Sequence, residues 1–206
     1  MQVYPISANP QEYLRRDERV DFDDPAVRRT AERLASGSAS TLEYIRAAFV
    51  LVRDEIAHSA DISSRIVTKT ASEVLAKREG ICYAKSMLLA ALLRAAGIPA
   101  GFCYQRLTLL DTPDSGYCIH ALNAVYIEEL SAWTRLDARG NTNGKNAQFY
   151  PENPLLEQLA FPIRAEYGEC EYAGIYAAHP ACVIKPLDEC TDCAYMLRHC
   201  LPERLE

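Results

Sequence analysis

The stretch ICYAKSMLLAALLRAAGIP, residues 81–99, constrains this chain more than any other. Only Lys85, Ser86 and Arg94 in it are clearly polar. A helix that is apolar on most of its sides must be surrounded by other chain. Gly97 and Pro99 stand where a helix ends, a C′ glycine followed by a proline stop. The fold therefore has to be wrapped around a central helix. With 206 residues, 49% of them hydrophobic, the chain has the material to do so. A chain of this size buries about 70% of its unfolded surface.

The elements on either side differ in period. Asp24-Pro25 reads as an N-cap with proline at the first helical position and opens AVRRTAERLAS. Ser40 and Glu43 form a capping box in front of LEYIRAAFVLVRDEIA, where Leu42, Ile45, Phe49, Val52 and Ile56 recur at helical spacing. Thr70 and Glu73 form a second box and start a short helix through Lys77. After Pro99 the pattern changes. GFCYQRLTLL, YCIHALNAVYI and AWTRLDA are rich in aromatic and aliphatic residues and predict strands, the last two joined as a hairpin across 128–131. LAFPI and CVIKPL are candidates for short edge strands, and GNTNGKNAQFYPENP reads as a long loop. Helices first and strands second predict an α+β fold with an antiparallel sheet. One domain over residues 1–206 is expected, with an extended arm at 1–23, a core at about 42–140 and a C-terminal helix over 188–202.

Lys and Arg number 22 against 28 Asp and Glu, for a net charge of −6. A general nucleic-acid or anionic-membrane binder needs the opposite balance, so neither partner is expected. No run of about 18 apolar residues is present to span a bilayer. The N-terminal residues have no apolar signal core, which points to a cytoplasmic, reducing setting. The eight cysteines are then expected to be free thiols rather than a disulfide framework.

Cys82 is the cysteine with a chemical reason for its place. It begins the apolar helix, where unpaired N–H groups and the positive end of the helix dipole favour an anion. A thiol there ionises more readily, and the thiolate is the nucleophile. The backbone N–H of Cys82 could also hold an oxyanion. Gly80 is expected to keep bulk away from the sulfur. His120 lies on a strand pattern, and Asp137 on the next; their midpoint falls beside the 128–131 turn, so a hairpin brings them together. A carboxylate beside Nδ1 of the histidine would set its tautomer and stabilise imidazolium. Cys, His and Asp so arranged suit nucleophilic acyl transfer.

REGICYAKSMLLAALLRAAGIPA, IHALNAVY and AWTRLDARGN together resemble the transglutaminase-like superfamily of papain-type thiol enzymes. The likeness covers about residues 42–140 and extends in LDARGNTNGKNAQF, LAFPIRAEYGE and IYAAHP towards a small stand-alone bacterial branch. It implies Cys82 as nucleophile, His120 as general acid and base, and Asp137 as the residue that orients it. It implies a peptide, protein or small amide as substrate, cleaved through an acyl-thioester, with hydrolysis favoured over amine transfer. No cofactor or metal is implied. Two positions depart from many relatives: Leu122-Asn123-Ala124 follows His120-Ala121, and Ala138-Arg139 follows Asp137.

Other residues carry weaker signals. His58, at the end of the second helix, is either a cleft or oxyanion residue or an exposed histidine favoured by the helix dipole. Tyr83, next to Cys82, is a further candidate for the cleft. Cys118, two residues before His120, is the fallback nucleophile. Cys190 and Cys193 have the spacing of half a zinc site or a redox pair. However, Cys190, Cys193, Ala194, Leu197, Cys200 and Leu201 also recur as one helical face, which is the simpler reading. Besides the enzyme, a non-catalytic interaction module and a zinc or redox protein are the competing functions.

Overall fold

The computed structural model describes residues 2–110 and 112–205. The apolar stretch forms helix α4, Cys82–Ala95, and every residue from Tyr83 to Arg94 is buried. To follow it in chain order, β1 is Tyr4–Pro5, α1 Pro25–Ser36, α2 Thr41–Val50, β2 Ala57–His58, α3 Ala71–Lys77 and β3 Glu79–Gly80. After α4 come β4 (Ala100–Thr108), β5 (Tyr117–Ile127), β6 (Ala132–Leu136), β7 (Cys170–Tyr176), α5 (Ala181–Glu189) and α6 (Cys193–His199). Helices α1, α2 and α3 pack on α4, which also packs on β5. The sheet runs β1-β7-β4-β5-β6; its pairings are antiparallel except β1 with β7. A separate parallel pair joins β2 and β3. This is the α+β fold expected of the sequence.

The capping chemistry holds. Asp24 accepts from the N–H groups of Ala26 and Val27. Ser40 Oγ accepts from Glu43 N–H, while Glu43 reaches back to the N–H of Ala39, one residue before the cap. Thr70 and Glu73 repeat that pattern, with Lys69 N–H as the donor. The arm is tied down by β1 and by Tyr13, whose hydroxyl donates to the carbonyl of Ile175 at 2.9 Å.

Four elements differ from the sequence reading. The second helix does not run on to Ala57 as a plain α-helix. It widens to a π-helical turn at Leu51–Glu55 and then becomes extended. Lys85 Nζ, reaching from α4, donates to the carbonyls of Arg53 and Ile56 at this widened end. CVIKPL is helical rather than an edge strand, because Val183, Pro186 and Leu187 fall on one buried helical face despite the proline. LAFPI is irregular, and the second strand neighbour of β4 is β7 instead. Where β4 meets β7, contact requires Gly101: a Cβ there would lie 2.5 Å from Ile175 Cγ2 and 2.9 Å from the Tyr176 carbonyl oxygen. The C-terminal helix is also shorter than 188–202, since Cys190 ends α5 and Asp192 caps α6 by accepting from Tyr195 N–H.

Candidate active site

Cys82 is the first residue of α4. Ile81, extended, precedes it and makes no side-chain cap. The first N–H to bond within the helix is that of Lys85, to the Ile81 carbonyl at 2.9 Å. The N–H groups of Cys82 and Tyr83 have no acceptor in their own helix, as at any helix start. Gly80 does not open the cleft, contrary to the expectation above. A Cβ on it would meet Thr68 Oγ1 at 3.0 Å and Ala84 Cβ at 3.2 Å, so the glycine lets β3 pack against the root of α4.

His120 and Asp137 come together as the hairpin predicts. His120 Nε2 lies 2.9 Å from Asp137 Oδ2, with both side chains buried. The ring is turned relative to the sequence expectation. Nε2 faces the carboxylate, which leaves Nδ1 for the hydrogen bond that His120 makes with Cys82. Asp137 accepts two further bonds, from the N–H of Ala160 at 3.0 Å and of Arg139 at 3.2 Å. The order is therefore Cys82, His120, Asp137, hydrogen-bonded in series.

The electrostatics follow from that series. Burial alone would push the Cys82 thiol up, but the hydrogen bond and charge of His120 outweigh it. The N–H of Ala121 and the charge of Arg139 act the same way, and the thiol ends below its ordinary value. Burial alone would lower His120, yet Asp137, with help from Cys82, raises it to about 10. Burial tends to raise Asp137, and His120 together with the two N–H donors holds it below its ordinary value. Both shifts act in the direction of a thiolate beside an imidazolium.

Several residues that hold this arrangement were not legible as site residues. Phe161 sets its ring edge-on to His120, centroids 4.9 Å apart. Lys85 is 1% exposed, and its Nζ donates to the Arg139 carbonyl at 3.1 Å as well as to Arg53 and Ile56. Burial, with Arg139 acting in the same direction, draws Lys85 down to about 7. Three acceptors still favour the ammonium, because a neutral amine has only two N–H groups. Arg139 donates to both oxygens of Asp61 at 2.6 and 2.8 Å, and Thr142 Oγ1 adds a third bond to Asp61. His179 binds the first turn of α4 from the far side: Nε2 lies 3.1 Å from the Tyr83 carbonyl, and Tyr104 hydroxyl donates to Nδ1 at 2.7 Å. The only sequence signal for these residues was polar character inside apolar surroundings, at Lys85.

The weaker candidates separate. His58 is buried rather than an exposed helix end, and it lines the same cleft as Cys82 and His120. Burial, then the charges of Arg139 and Lys85, keep it well below its ordinary value and therefore neutral. Ala60 N–H donates to its Nδ1 at 3.3 Å, so the neutral ring carries its proton on Nε2. Tyr83 leaves the cleft: its ring is fully buried and its hydroxyl donates to the Ile119 carbonyl at 2.9 Å. Cys118 does line the cleft, but burial pushes its thiol up to about 12. Cys190 and Cys193 are buried in the core that α5 and α6 share, and Cys190 hydrogen-bonds Cys200. None of the eight cysteines is in a disulfide. Among the described residues, no three side chains converge as a metal site, and no helix is long and apolar enough to cross a membrane.

The family model of the transglutaminase-like superfamily matches residues 28–138, just over half the chain and the part that carries Cys82, His120 and Asp137. The chain belongs to the transglutaminase-like superfamily. Among curated proteins none matches. Solved structures do match. A candidate cysteine protease from Cytophaga hutchinsonii superimposes with a TM-score of 0.53 at 17% identity, over 84% of this chain and 55% of that one. The periplasmic domain of TgpA from Pseudomonas aeruginosa gives 0.47 at 20% identity, over 64% of this chain and 48% of that one. The first of these likenesses shows a shared fold. This transglutaminase-like chain spans about half the length of the solved structures it matches.

Proposed function

We propose that this transglutaminase-like protein is a thiol-dependent acyl-transfer enzyme that cleaves amide bonds through an acyl-thioester on Cys82. One observation supports this reading above the rest: the series from half-buried Cys82 at a helix start through buried His120 to buried Asp137.

In the proposed reaction the Cys82 thiolate attacks the amide carbonyl carbon. A C–S bond forms and the carbonyl electron pair moves onto oxygen. The Cys82 N–H meets that oxyanion, and the Nε2–H of His58, in the same cleft, is the second donor. The intermediate collapses as the C–N bond breaks, and His120 gives its Nδ1 proton to the leaving amine. Asp137 is a positioning residue that keeps Nδ1 towards sulfur. Water then attacks the thioester, its proton goes to His120, and the carboxylic acid leaves with the thiolate restored. Hydrolysis is the favoured outcome; an amine in place of water gives transfer by the same second half-reaction. Peptides, proteins and small amides are the substrate class.

Intact-mass measurement of the protein after incubation with a panel of amides and activated esters tests the reading. An acyl adduct that maps to Cys82, and that is absent from Cys82→Ala protein, is expected. Acylation spread over several cysteines, or unchanged in His120→Ala protein, would overturn it.

A further inference from the structure

The cleft that holds Cys82 and His120 encloses about 590 Å³, and leucines form two of its walls. Leu107, Leu109 and Leu110 come from the end of β4 and the residues just after it. Leu197 and Leu201 come from α6 and the residues just after it. Leu110 is 75% exposed, an aliphatic side chain left in water at the cleft that carries the nucleophile. Covering such side chains favours any apolar group that enters, in proportion to the area removed from water.

The second wall is fixed in place, and it lies beyond the part of the chain that matches the superfamily model, which ends at residue 138. Cys193 and Met196 bury α6 in the core. Cys193 N–H donates to the Arg65 carbonyl at 3.0 Å, and Arg65 Nε donates to Asp192 at 2.6 Å. Past the helix, the N–H of Ile119, next to His120, donates to the Pro202 carbonyl at 2.9 Å. Arg106 Nε donates to the Glu203 carbonyl at 3.0 Å. The C-terminal segment is thus bonded to β4, which leads into the first wall, and to β5, which carries His120. A wall held at both ends presents its leucines at fixed positions, which selection by fit requires.

The leucines come with no partner for a charged side chain. The described lining residues include no Asp or Glu. The Asp137 carboxylate is taken by His120 and two N–H groups. Of the lining cations, Arg139 is bonded to Asp61, Lys145 lies over the Phe161 ring at 5.2 Å, and Arg198 is exposed to water. An ion pair with an exposed arginine adds little. A charged group set between the leucines would give up its hydration without a buried partner in return.

We propose that the substrate residue at the scissile amide carries a bulky, uncharged aliphatic or aromatic side chain, seated between the two leucine walls, with Leu197 and Leu201 as specificity-determining residues. The proposal rests on the reading of Cys82 as nucleophile. A small side chain leaves the leucines in water, and a charged one loses hydration there, so both are selected against.

Two measurements test this independently of turnover. The first is the rate at which N-methyl-, N-butyl- and N-hexylmaleimide modify Cys82, each divided by its rate with a free cysteine peptide. The ratio should climb with chain length, by up to about fourfold per methylene for a chain that becomes fully buried. Leu197→Ala and Leu201→Ala should each flatten the climb. Three ratios lowered by one common factor would overturn their role in specificity. The second is binding of fluorescent peptides to Cys82→Ala protein, identical except for Leu, Phe, Ala, Glu or Lys at one central position. The Leu and Phe peptides should bind at least about tenfold tighter than the Ala peptide, the gain from burying a large apolar side chain. The Glu and Lys peptides should bind no better than Ala. A ratio that does not change with chain length, equal binding of the peptides, or tightest binding of Glu or Lys overturns the proposal. These readouts keep the leucines intact, so they decide the matter however the leucine variants fold. Failure of Cys82 to react ahead of the other cysteines with N-methylmaleimide would overturn the nucleophile reading instead, and the peptide order would still decide the side-chain preference.

Discussion

His120 and Asp137 are diagonal neighbours across the β5–β6 hairpin, not a directly opposed pair. The register sets Asn123 against Leu136, so one further step sets Leu122 against Asp137. His120 lies two residues along the same face, within reach of two polar side chains on a diagonal. The diagonal explains the ring orientation. Nε2 points down the hairpin to Oδ2, and Nδ1 is left for the helix that packs on β5.

Removing His120 should reach sulfur directly. In His120→Ala protein the thiol loses its hydrogen-bond partner and the adjacent positive charge, which offset its burial. Alkylation of Cys82 should then slow sharply at neutral pH, with its acid limb displaced upward. Amide turnover should fall by at least about a hundredfold. Rates of iodoacetamide labelling across pH 5–10 check the first point; an unmoved acid limb would mean that another group sets the thiol pKa.

Asp137→Asn tests the alkaline side. The aspartate raises His120 to about 10, so the ion pair persists until the imidazolium loses its proton there. Without the carboxylate charge, that loss comes at lower pH. The alkaline limb of amide cleavage should move downward, whereas alkylation needs only the thiolate and should keep its rate at high pH. A limb that stays near 10 in the variant would remove Asp137 from its positioning role.

Lys85 joins α4 to two other segments through three backbone carbonyls, and Lys85→Met leaves all three without a donor. Buried unsatisfied carbonyls make this costly, about 3 kcal/mol. Urea unfolding measures that cost. In the remaining folded protein, the segment carrying Arg139 loses its tie to the root of α4. The acid limb of Cys82 labelling should shift as well, which a change confined to packing would not cause.

The Arg139–Asp61 pair should behave as a latch between the segment after β2 and the segment after β6. Asp61→Asn leaves a guanidinium that is 8% exposed without its carboxylate. Breaking a pair this buried costs on the order of 3 kcal/mol. The double variant Asp61→Asn with Arg139→Met should recover part of that loss in a urea titration. Additive losses would mean the two residues act separately.

Acid stability should depend on Glu169. Burial would raise this carboxyl, but Arg164 and the bonds from Thr108 hold it down at about 2. A carboxylate whose folded value lies below its unfolded one stabilises the fold above the unfolded value, and that contribution fades as pH falls between about 4.5 and 2. Glu169→Gln should flatten the fall of the thermal midpoint over this window. An unchanged slope would assign the acid sensitivity to other carboxylates.

Local sequence determined much of this molecule. A run as apolar as residues 81–99 had to become a buried helix, and caps at Asp24, Ser40 and Thr70 had to start helices, because those effects depend on neighbours a few residues away. The hairpin placed His120 near Asp137 for the same reason. The third member of the series is a different matter. Cys82 meets His120 only because α4 packs on β5, and nothing within a few residues of either one encodes that contact. Lys85, Arg139, Asp61, Phe161 and His179 belong to that second class. Each acts on partners at least 29 residues away, through a carbonyl, a carboxylate or a ring edge. Burial also reversed the meaning of two residues. Tyr83 turned from the cleft to the core, where its hydroxyl found a carbonyl, and His58 turned from a helix end to the cleft, where desolvation keeps it neutral. Chain-local pattern set which residues could do chemistry. Only the packing of helix on sheet decided which of them touch, since hydrogen bonds and charges act over a few ångströms of space whatever their separation in the chain.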